Sequence, residues 1–494
     1  MPSSKLIQEV SIEPKPTAAF ETVLGPDNVE SVSNLAAGLQ ARLGGRTIWN
    51  VNSTAAGGGV AEMLQSLLAY ARGLGVDTRW LVMTGDADFF RITKRIHNAL
   101  HGEPGDGSML DADATEAYER VAAANAAELN ERVQPDDVVI LHDPQTAGLI
   151  PHLVQRGVAV VWRCHIGNDS PTPEDQLAWK FLEPYLKQAH AFVFSRFSYL
   201  PEILYHGRCL VVPPSIDPFS PKNQDMDEAT VRSILVHTGL ASGSNGGPRT
   251  FTREDGTRAE VERRAKVLRE GPPPALEVPQ VVQVSRWDRL KDPVGVLQGF
   301  VRAMNTSGAD HAELVLAGPS VEAVSDDPEG AAVYEEVVAS WHRLPSHYRR
   351  RVHLVTLPMD DLQENAAMVN ALQRHAAIVV QKSLREGFGL TVTEAMWKAK
   401  PVIASAVGGI RDQIEHGVSG LLLKDPADLG AFGGSVNQLL GNEGFAERLG
   451  RNARRRVGQN YLGLSIVAQY DHLIQRLEHD VRETASPVAA EDRD

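Results

Sequence analysis

From about residue 46 the chain settles into short, near-continuously apolar runs separated by longer stretches with helical spacing. The first set of runs is RTIWNVNST (46–54), RWLVMTGD (79–86), DDVVILHDP (136–144), GVAVVWRCHIG (157–167), AFVFS (191–195) and CLVVPPSID (209–217). These runs do not alternate apolar with polar, so they predict strands buried on both faces, as in a parallel sheet covered by crossover helices. The rhythm breaks after Pro213-Pro214. Residues 218–277 are polar, with SGSNGG (242–247), the charged stretch TREDGTRAEVERRAKVLRE (252–270) and then GPPPALEVP (271–279). Within the charged stretch Val261, Ala265 and Leu268 share one helical stripe, which predicts a helix over part of it. The strand rhythm then resumes with VVQVS (281–285), AELVLAG (312–318), RVHLVTL (351–357), AAIVVQKS (376–383) and KPVIASA (400–406). Val294, Leu297, Phe300, Val301 and Met304 repeat at helical spacing, and a last long helical pattern runs from about Phe445 to Arg482.

A chain of 494 residues exceeds one typical core. The pattern therefore predicts an α/β protein of two doubly wound, Rossmann-like domains facing across a cleft. The expected boundaries are 1–217 for the N-terminal domain, 218–277 for a polar insertion or junction, 278–464 for the C-terminal domain and 483–494 for a disordered tail. The helix at about 465–482 can pack back on the first domain. Residues 1–45 show no clear period.

Composition narrows the function classes. A net charge of −14 argues against general affinity for nucleic acid or anionic membranes, though not against a local basic pocket. The two cysteines, Cys164 and Cys209, form no CxxC pair, so neither a zinc site nor a disulfide framework is expected. MPSSKLIQEVSIEPKP lacks the apolar core of a signal peptide, and no apolar run reaches membrane-spanning length. A reducing, cytoplasmic setting is the expectation.

The candidate chemistry sits just after strands. NVNSTAAGGGVAEML (50–64) ends a strand, runs through Gly57-Gly58-Gly59 and opens a helix. It reads equally as a phosphate or sugar cradle and as a tight strand-to-helix turn. In SRWDRLKDP (285–293), Arg286 and Lys291 suit a diphosphate, while the plainer reading pairs them with Asp288 and Asp292 in a solvated loop. In REGFGLTVTEAMWK (385–398), Glu386 and Glu394 flank Gly387-Phe388-Gly389 and a helix start at Leu390 or Thr391. There Thr391-x-x-Glu394 also fits a capping box. LHDPQ (141–145) and VWRCHIG (161–167) place Asp143, Gln145, Arg163 and His165 at strand ends. Two DxD strings, Asp86-Ala87-Asp88 and Asp111-Ala112-Asp113, lie far from any cationic phosphate loop and are discounted as metal sites.

Together the triple glycine, Arg286 with Lys291 and Glu386-x7-Glu394 resemble the retaining GT-B glycosyltransferases that use nucleotide sugars. The longer runs, among them VVWRCHIG, VVPPSIDPFSPKN and VVQKSLREGFGLTVTEAMWKAKPVIAS, are more specific and resemble the trehalose glycosyltransferring synthases. The resemblance covers most of the chain outside 1–45 and 218–277. It implies transfer of glucose from ADP-, UDP- or GDP-glucose to glucose, reversibly, giving α,α-trehalose. Arg286 and Lys291 would hold the diphosphate, assisted by the backbone of Gly387, Phe388, Gly389 and Leu390. Glu386 and His165 would contact the transferred glucose, and Glu394 the ribose. Gly58 and Gly59 would line the donor pocket. Asp143, with Gln145 and Arg163, would face the acceptor. The acidic residue that some relatives carry after the His-Ile pair is replaced here by Gly167. The resemblance implies no required cofactor or metal, with Mg2+ at most stimulatory, and a homodimer. A trehalose phosphorylase on the same scaffold, a related enzyme with another sugar acceptor, and a sugar- or nucleotide-binding sensor stay open.

Overall fold

The computed structural model describes residues 6–55, 59–204, 206–244, 246–306, 309, 311–320 and 328–485. The chain forms two compact units, residues 1–215 with 463–494, and residues 216–462.

The first unit is built on strands β1 (Ile7–Val10), β2 (Ile48–Asn52), β3 (Thr78–Met83), β4 (Val138–His142), β5 (Ala159–Cys164), β6 (Ala191–Phe194) and β7 (Cys209–Val211). Their order in the sheet is β1-β3-β2-β4-β5-β6-β7, parallel except for β1, which runs antiparallel to β3. Alternate residues of each strand feed two cores on opposite faces. Trp49, Val51, Val139, Leu141, Val160 and Trp162 enter one. Ile48, Trp80, Val138, Ile140 and Val161 enter the other. Both faces are buried, so both sets must be apolar, which is why the runs do not alternate. The helix Ser465–Ala485 covers the second face through Ile466, Val467, Tyr470, Leu473 and Ile474, beside the helix Pro26–Leu43.

The second unit carries a hairpin of β8 (Thr250–Thr252) and β9 (Arg258–Glu260), then β10 (Lys266–Leu268), β11 (Gln280–Val284), β12 (Glu313–Pro319), β13 (Val352–Leu357), β14 (Ile378–Gln381), β15 (Val402–Ser405) and β16 (Leu421–Leu423). The sheet order is β10-β13-β12-β11-β14-β15-β16. Among the described strands of this sheet only β10, at the edge, is antiparallel. In both sheets the strand order reverses between neighbours, β2 with β4 and β11 with β14. Such switch points open crevices at the carboxyl ends of strands.

One expectation is corrected. The stretch 252–270 is not helical. Asp255-Gly256 turns a hairpin, with Gly256 at φ 83° and the Arg253 N–H donating to the Thr257 carbonyl at 2.8 Å. The exposed edge of β13 then pairs with β10, Lys266 opposite Thr356. Three apolar positions in a charged run are a weak local signal, and cross-strand pairing overrides it. The polar region also holds a helix, Glu228–Thr238, capped by Asp227 and closed by Gly239 at φ 81°. The helical pattern from Phe445 to Arg482 divides into two helices, Glu443–Asn460 and Ser465–Ala485, the second at the place expected for a separate C-terminal helix. The break falls where Ile216 N–H donates to the Tyr461 carbonyl at 2.9 Å and Ile216 bridges Leu462. Both DxD strings are helix starts, with Asp86 accepting from Phe89 N–H and Asp111 from Ala114 N–H.

The segment after β9 is anchored by buried Glu364, which accepts the N–H groups of Glu262 at 2.7 Å and Arg263 at 2.6 Å and pairs with the Arg263 guanidinium. In Glu364→Gln, amides between 258 and 268 should exchange about ten- to a hundredfold faster, with β11–β14 unchanged. Equal exchange in both proteins would show that this anchor contributes nothing.

Candidate active site

In the second unit, adjacency of β11 and β14 brings together two loops nearly a hundred residues apart in sequence. Leu384 N–H donates to the Leu290 carbonyl at 2.7 Å, and Gln283 Nε2 donates to the Lys291 carbonyl at 2.9 Å. Lys291 Nζ lies 2.5 Å from Glu386 Oε2, which also accepts from Ser383 Oγ at 3.1 Å. The pairing is thus Lys291 with Glu386, not with Asp292. Asp292 instead accepts from the fully buried Lys382 and from the Gly295 N–H at 3.0 Å, capping the helix Pro293–Met304. Arg286 is 71% exposed and 3.5 Å from Asp288, as the solvated-loop reading expected for this residue.

The glycine loop enters the helix Leu390–Trp397 through Gly389, at φ 87°, where the left-handed backbone favours glycine. Among the described residues no side chain caps this helix, so the capping-box reading is overturned: Thr391 lies inside the helix, and Glu394 is one turn further on. Glu394 is buried, with Lys222 Nζ 3.6 Å from its carboxylate. Lys398 Nζ donates to the Glu394 carbonyl at 3.1 Å and to Asn223 Oδ1 at 3.0 Å. Burial pushes Lys398 down to about 7, opposed by the Glu394 charge. Gln413 braces the loop, donating to the Phe388 carbonyl at 2.6 Å and accepting from Thr393 Oγ1 at 2.7 Å.

In the first unit, Gly59 opens the helix Gly59–Gly73, and Gly58 lies outside the described residues. Asp143, just past β4, adopts φ 63°, a conformation that aspartate tolerates better than most side chains. Its Oδ1 accepts the His165 N–H at 2.8 Å, and its carbonyl accepts from Trp162 Nε1 at 3.1 Å. Gln145 is half-buried in the turn Asp143–Thr146. Arg163, expected at the acceptor, lies inside the sheet at 5% exposure, with a guanidinium nitrogen 3.8 Å from Met63 Sδ. Burial, and then the Arg163 charge, hold both His142 and His165 well below the ordinary histidine range. Sequence reasoning missed Asn50, His142, Tyr470, Lys382, Lys398 and Lys222. For Asn50, His142 and Lys382 the available signal was a polar residue in or just after an otherwise apolar strand; Lys222, Lys398 and Tyr470, on a loop, at a helix end and on a helix, left none.

Two Rossmann-like sheets with polar loops at the carboxyl ends of their switch-point strands have the GT-B fold, and the match to the glycosyl transferases group 1 family makes the protein a glycosyltransferase. The fold matches an α,α-trehalose-phosphate synthase (UDP-forming) from Burkholderia xenovorans in complex with glucose-6-phosphate. That match has a TM-score of 0.64 at 16% identity and covers 88% of this chain and 100% of that one. The family described as "Trehalose synthase, N-terminal domain" matches residues 50–201, and "Glycosyl transferases group 1" matches residues 361–456. A trehalose synthase from Pyrococcus horikoshii is 31% identical over 471 residues, spanning 95% of this chain and 99% of that protein. The chain belongs to the trehalose synthase family. It is also 28% identical over 429 residues to a trehalose phosphorylase from Pleurotus pulmonarius, covering 82% of this chain and 54% of that longer protein.

Asp143 supplies a pH test. Burial pushes its carboxyl up to about 7, against the opposing His165 N–H and Arg163. The folded state therefore keeps a proton that the unfolded chain releases near 4. The stability this contributes is fully present below about 4 and is lost as pH rises through about 7. Asp143→Asn keeps the acceptor for His165 N–H but cannot titrate. The stability difference between the two proteins in urea should move in favour of the variant from pH 4 to 7.5 and then level off. A flat difference would rule out the raised pKa.

Proposed function

We propose that this protein transfers glucose from a nucleotide-glucose to free glucose, with retention at the anomeric carbon, forming α,α-trehalose. The observation that carries this reading is the Lys291–Glu386 pair at the β11/β14 switch point, with buried Glu394 on the helix behind it. A diphosphate entering there competes with Glu386 for Lys291. Lys291, joined by Arg286, then faces the oxygens where negative charge grows as the glycosidic C–O bond breaks. Glu386, released from the lysine, turns to hydroxyls of the transferred glucose. Backbone from Gly387 to Leu390 meets the phosphates, Glu394 takes the ribose hydroxyls, and Gly58 and Gly59 border the sugar. His165 contacts the transferred glucose, while Asp143 and Gln145 take the acceptor, with Arg163 behind them. The reading includes no protein nucleophile: the acceptor hydroxyl attacks the face the diphosphate leaves, and a leaving phosphate oxygen takes its proton. With two cations to balance the diphosphate, no metal is required.

The test incubates the protein with ADP-, UDP- and GDP-glucose and glucose, and identifies product by mass and anomeric NMR. α,α-Trehalose is expected from at least one donor. Lys291→Ala should lower kcat by about a hundredfold or more. Glu394→Gln should raise KM for the nucleotide-glucose about tenfold with a smaller effect on kcat. The similarity to trehalose phosphorylase favours a second reading, in which phosphate replaces the nucleotide. Trehalose breakdown by phosphate alone, indifferent to Glu394→Gln, would establish that reading instead. Tight binding with no turnover would mark a sensor.

A further inference from the structure

The first sheet carries a chain of polar side chains where its pattern calls for apolar ones. β2 is buried throughout, yet holds Asn50 on the face covered by the C-terminal helix. Asn50 Nδ2 donates to Thr78 Oγ1 at 3.2 Å, and Thr78 in turn donates to the Ile48 carbonyl at 3.1 Å. Those two bonds set the amide. They turn Asn50 Oδ1, which can only accept, toward His142 Nε2 at 3.1 Å and the Tyr470 hydroxyl at 3.2 Å. His142 Nε2 must therefore carry hydrogen, and a neutral His142 keeps its lone pair on Nδ1. That atom lies 3.0 Å from His165 Nε2. The two ring planes differ by 9°, and their centroids are 5.3 Å apart. With nitrogens much closer than centroids, the rings meet edge to edge in one plane, as an N–H···N bond requires. The shared proton then belongs to His165.

We infer that Asn50, His142 and Tyr470 form a directional relay that holds His165 as the Nε2–H tautomer, leaving Nδ1 of His165 as a hydrogen-bond acceptor. Among the described residues nothing hydrogen-bonds that Nδ1. The groups facing the pair are consistent with neutral rings: the Arg163 cation acts on both histidines, and the Asp143 carboxyl group is tied to the His165 N–H rather than to either ring. Asn50, His142 and Tyr470 are thus positioning residues, acting through His165. Turning the Asn50 amide over would reverse every donor and require Thr78 to leave the Ile48 carbonyl, a bond that the observed sense keeps. The consequence for recognition rests on the function proposed above: His165 takes a sugar hydroxyl as donor, and a group that only accepts is refused there.

The experiment is a long-range 1H–15N spectrum of the full chain labelled in histidine, with His142 and His165 assigned by substitution. At neutral pH both rings should show the Nε2–H pattern. An Nδ1–H pattern or an imidazolium at His165 would overturn the proposal. Asn50→Asp offers His142 a carboxylate, which favours its doubly protonated form. His142 Nδ1–H then donates to His165 Nε2, and His165 must switch to Nδ1–H. That switch is the expected signature, with kcat/KM for glucosyl transfer falling about tenfold. An Asn50→Asp protein that folds and keeps the wild-type tautomer at His165 would also refute the relay. The wild-type spectrum requires no turnover, so failure of the relay and failure of the glycosyltransferase reading are seen separately.

Discussion

The hydrogen-bonded pairing of β11 with β14 is what the site in the second unit depends on. Val281 and Val282 register with Ile378 and Val379, so the loops leaving those strands emerge side by side although the chain has run through two further strands between them. Lys291 and Glu386 meet because of that pairing and for no local reason. The same constraint operates in the first unit, where β2 and β4 are neighbours and Asn50 reaches His142. A parallel sheet buried on both faces leaves its strand ends as the places where polar side chains can gather without cost to the core.

Holding those side chains in place carries a cost of its own. Three described non-glycine residues have positive φ, and two of them, Asp143 and Asp292, stand directly at these strand-end loops. A left-handed residue costs about 1 kcal/mol or more, and a buried ion pair such as Lys382 with Asp292 recovers little beyond its own desolvation. These features contribute definition rather than stability. Asp292 follows Lys291 directly, so fixing Asp292 from Lys382 and Gly295 also fixes the backbone from which Lys291 reaches Glu386. In the first unit Asp143 anchors the His165 backbone in the corresponding way.

The sequence made the strand core legible because its signal is local: both faces are buried, so the runs are apolar without interruption. The hairpin of β8 and β9 and the edge strand β10 were not legible, since their stability comes from partners far along the chain, Asp361 and Glu364 for the hairpin region and β13 for the edge. The loops of the site were visible as glycine-rich or charged strand ends. Their internal pairing was not, because Asp288, Asp292 and Glu386 are all within plausible reach of Lys291 and only the three-dimensional path of the chain selects one. Asn50 and His142 left a faint trace as polar residues within apolar runs. Tyr470 left none, being one aromatic position among many on an amphipathic helix.

Glu394 shows how a local reading and a structural one part ways. A threonine three residues before a glutamate at a helix start is ordinary capping chemistry, and the pattern alone cannot distinguish that from a binding role. The left-handed Gly389 moves the helix start ahead of Thr391, which places Glu394 within the helix rather than at its end. Its surroundings then come from elsewhere: Lys222 at 3.6 Å, and Asn223 through the ammonium of Lys398. Both residues lie at the beginning of the polar excursion, and the carbonyls flanking them, Pro221 and Gln224, accept from Asn370 and Arg374 of the helix Leu362–His375. The excursion is therefore not merely inserted between two domains. Its first residues complete the environment of a buried carboxylate in the second unit, so shifting residues 221–225 alters Glu394 without touching the glycine loop.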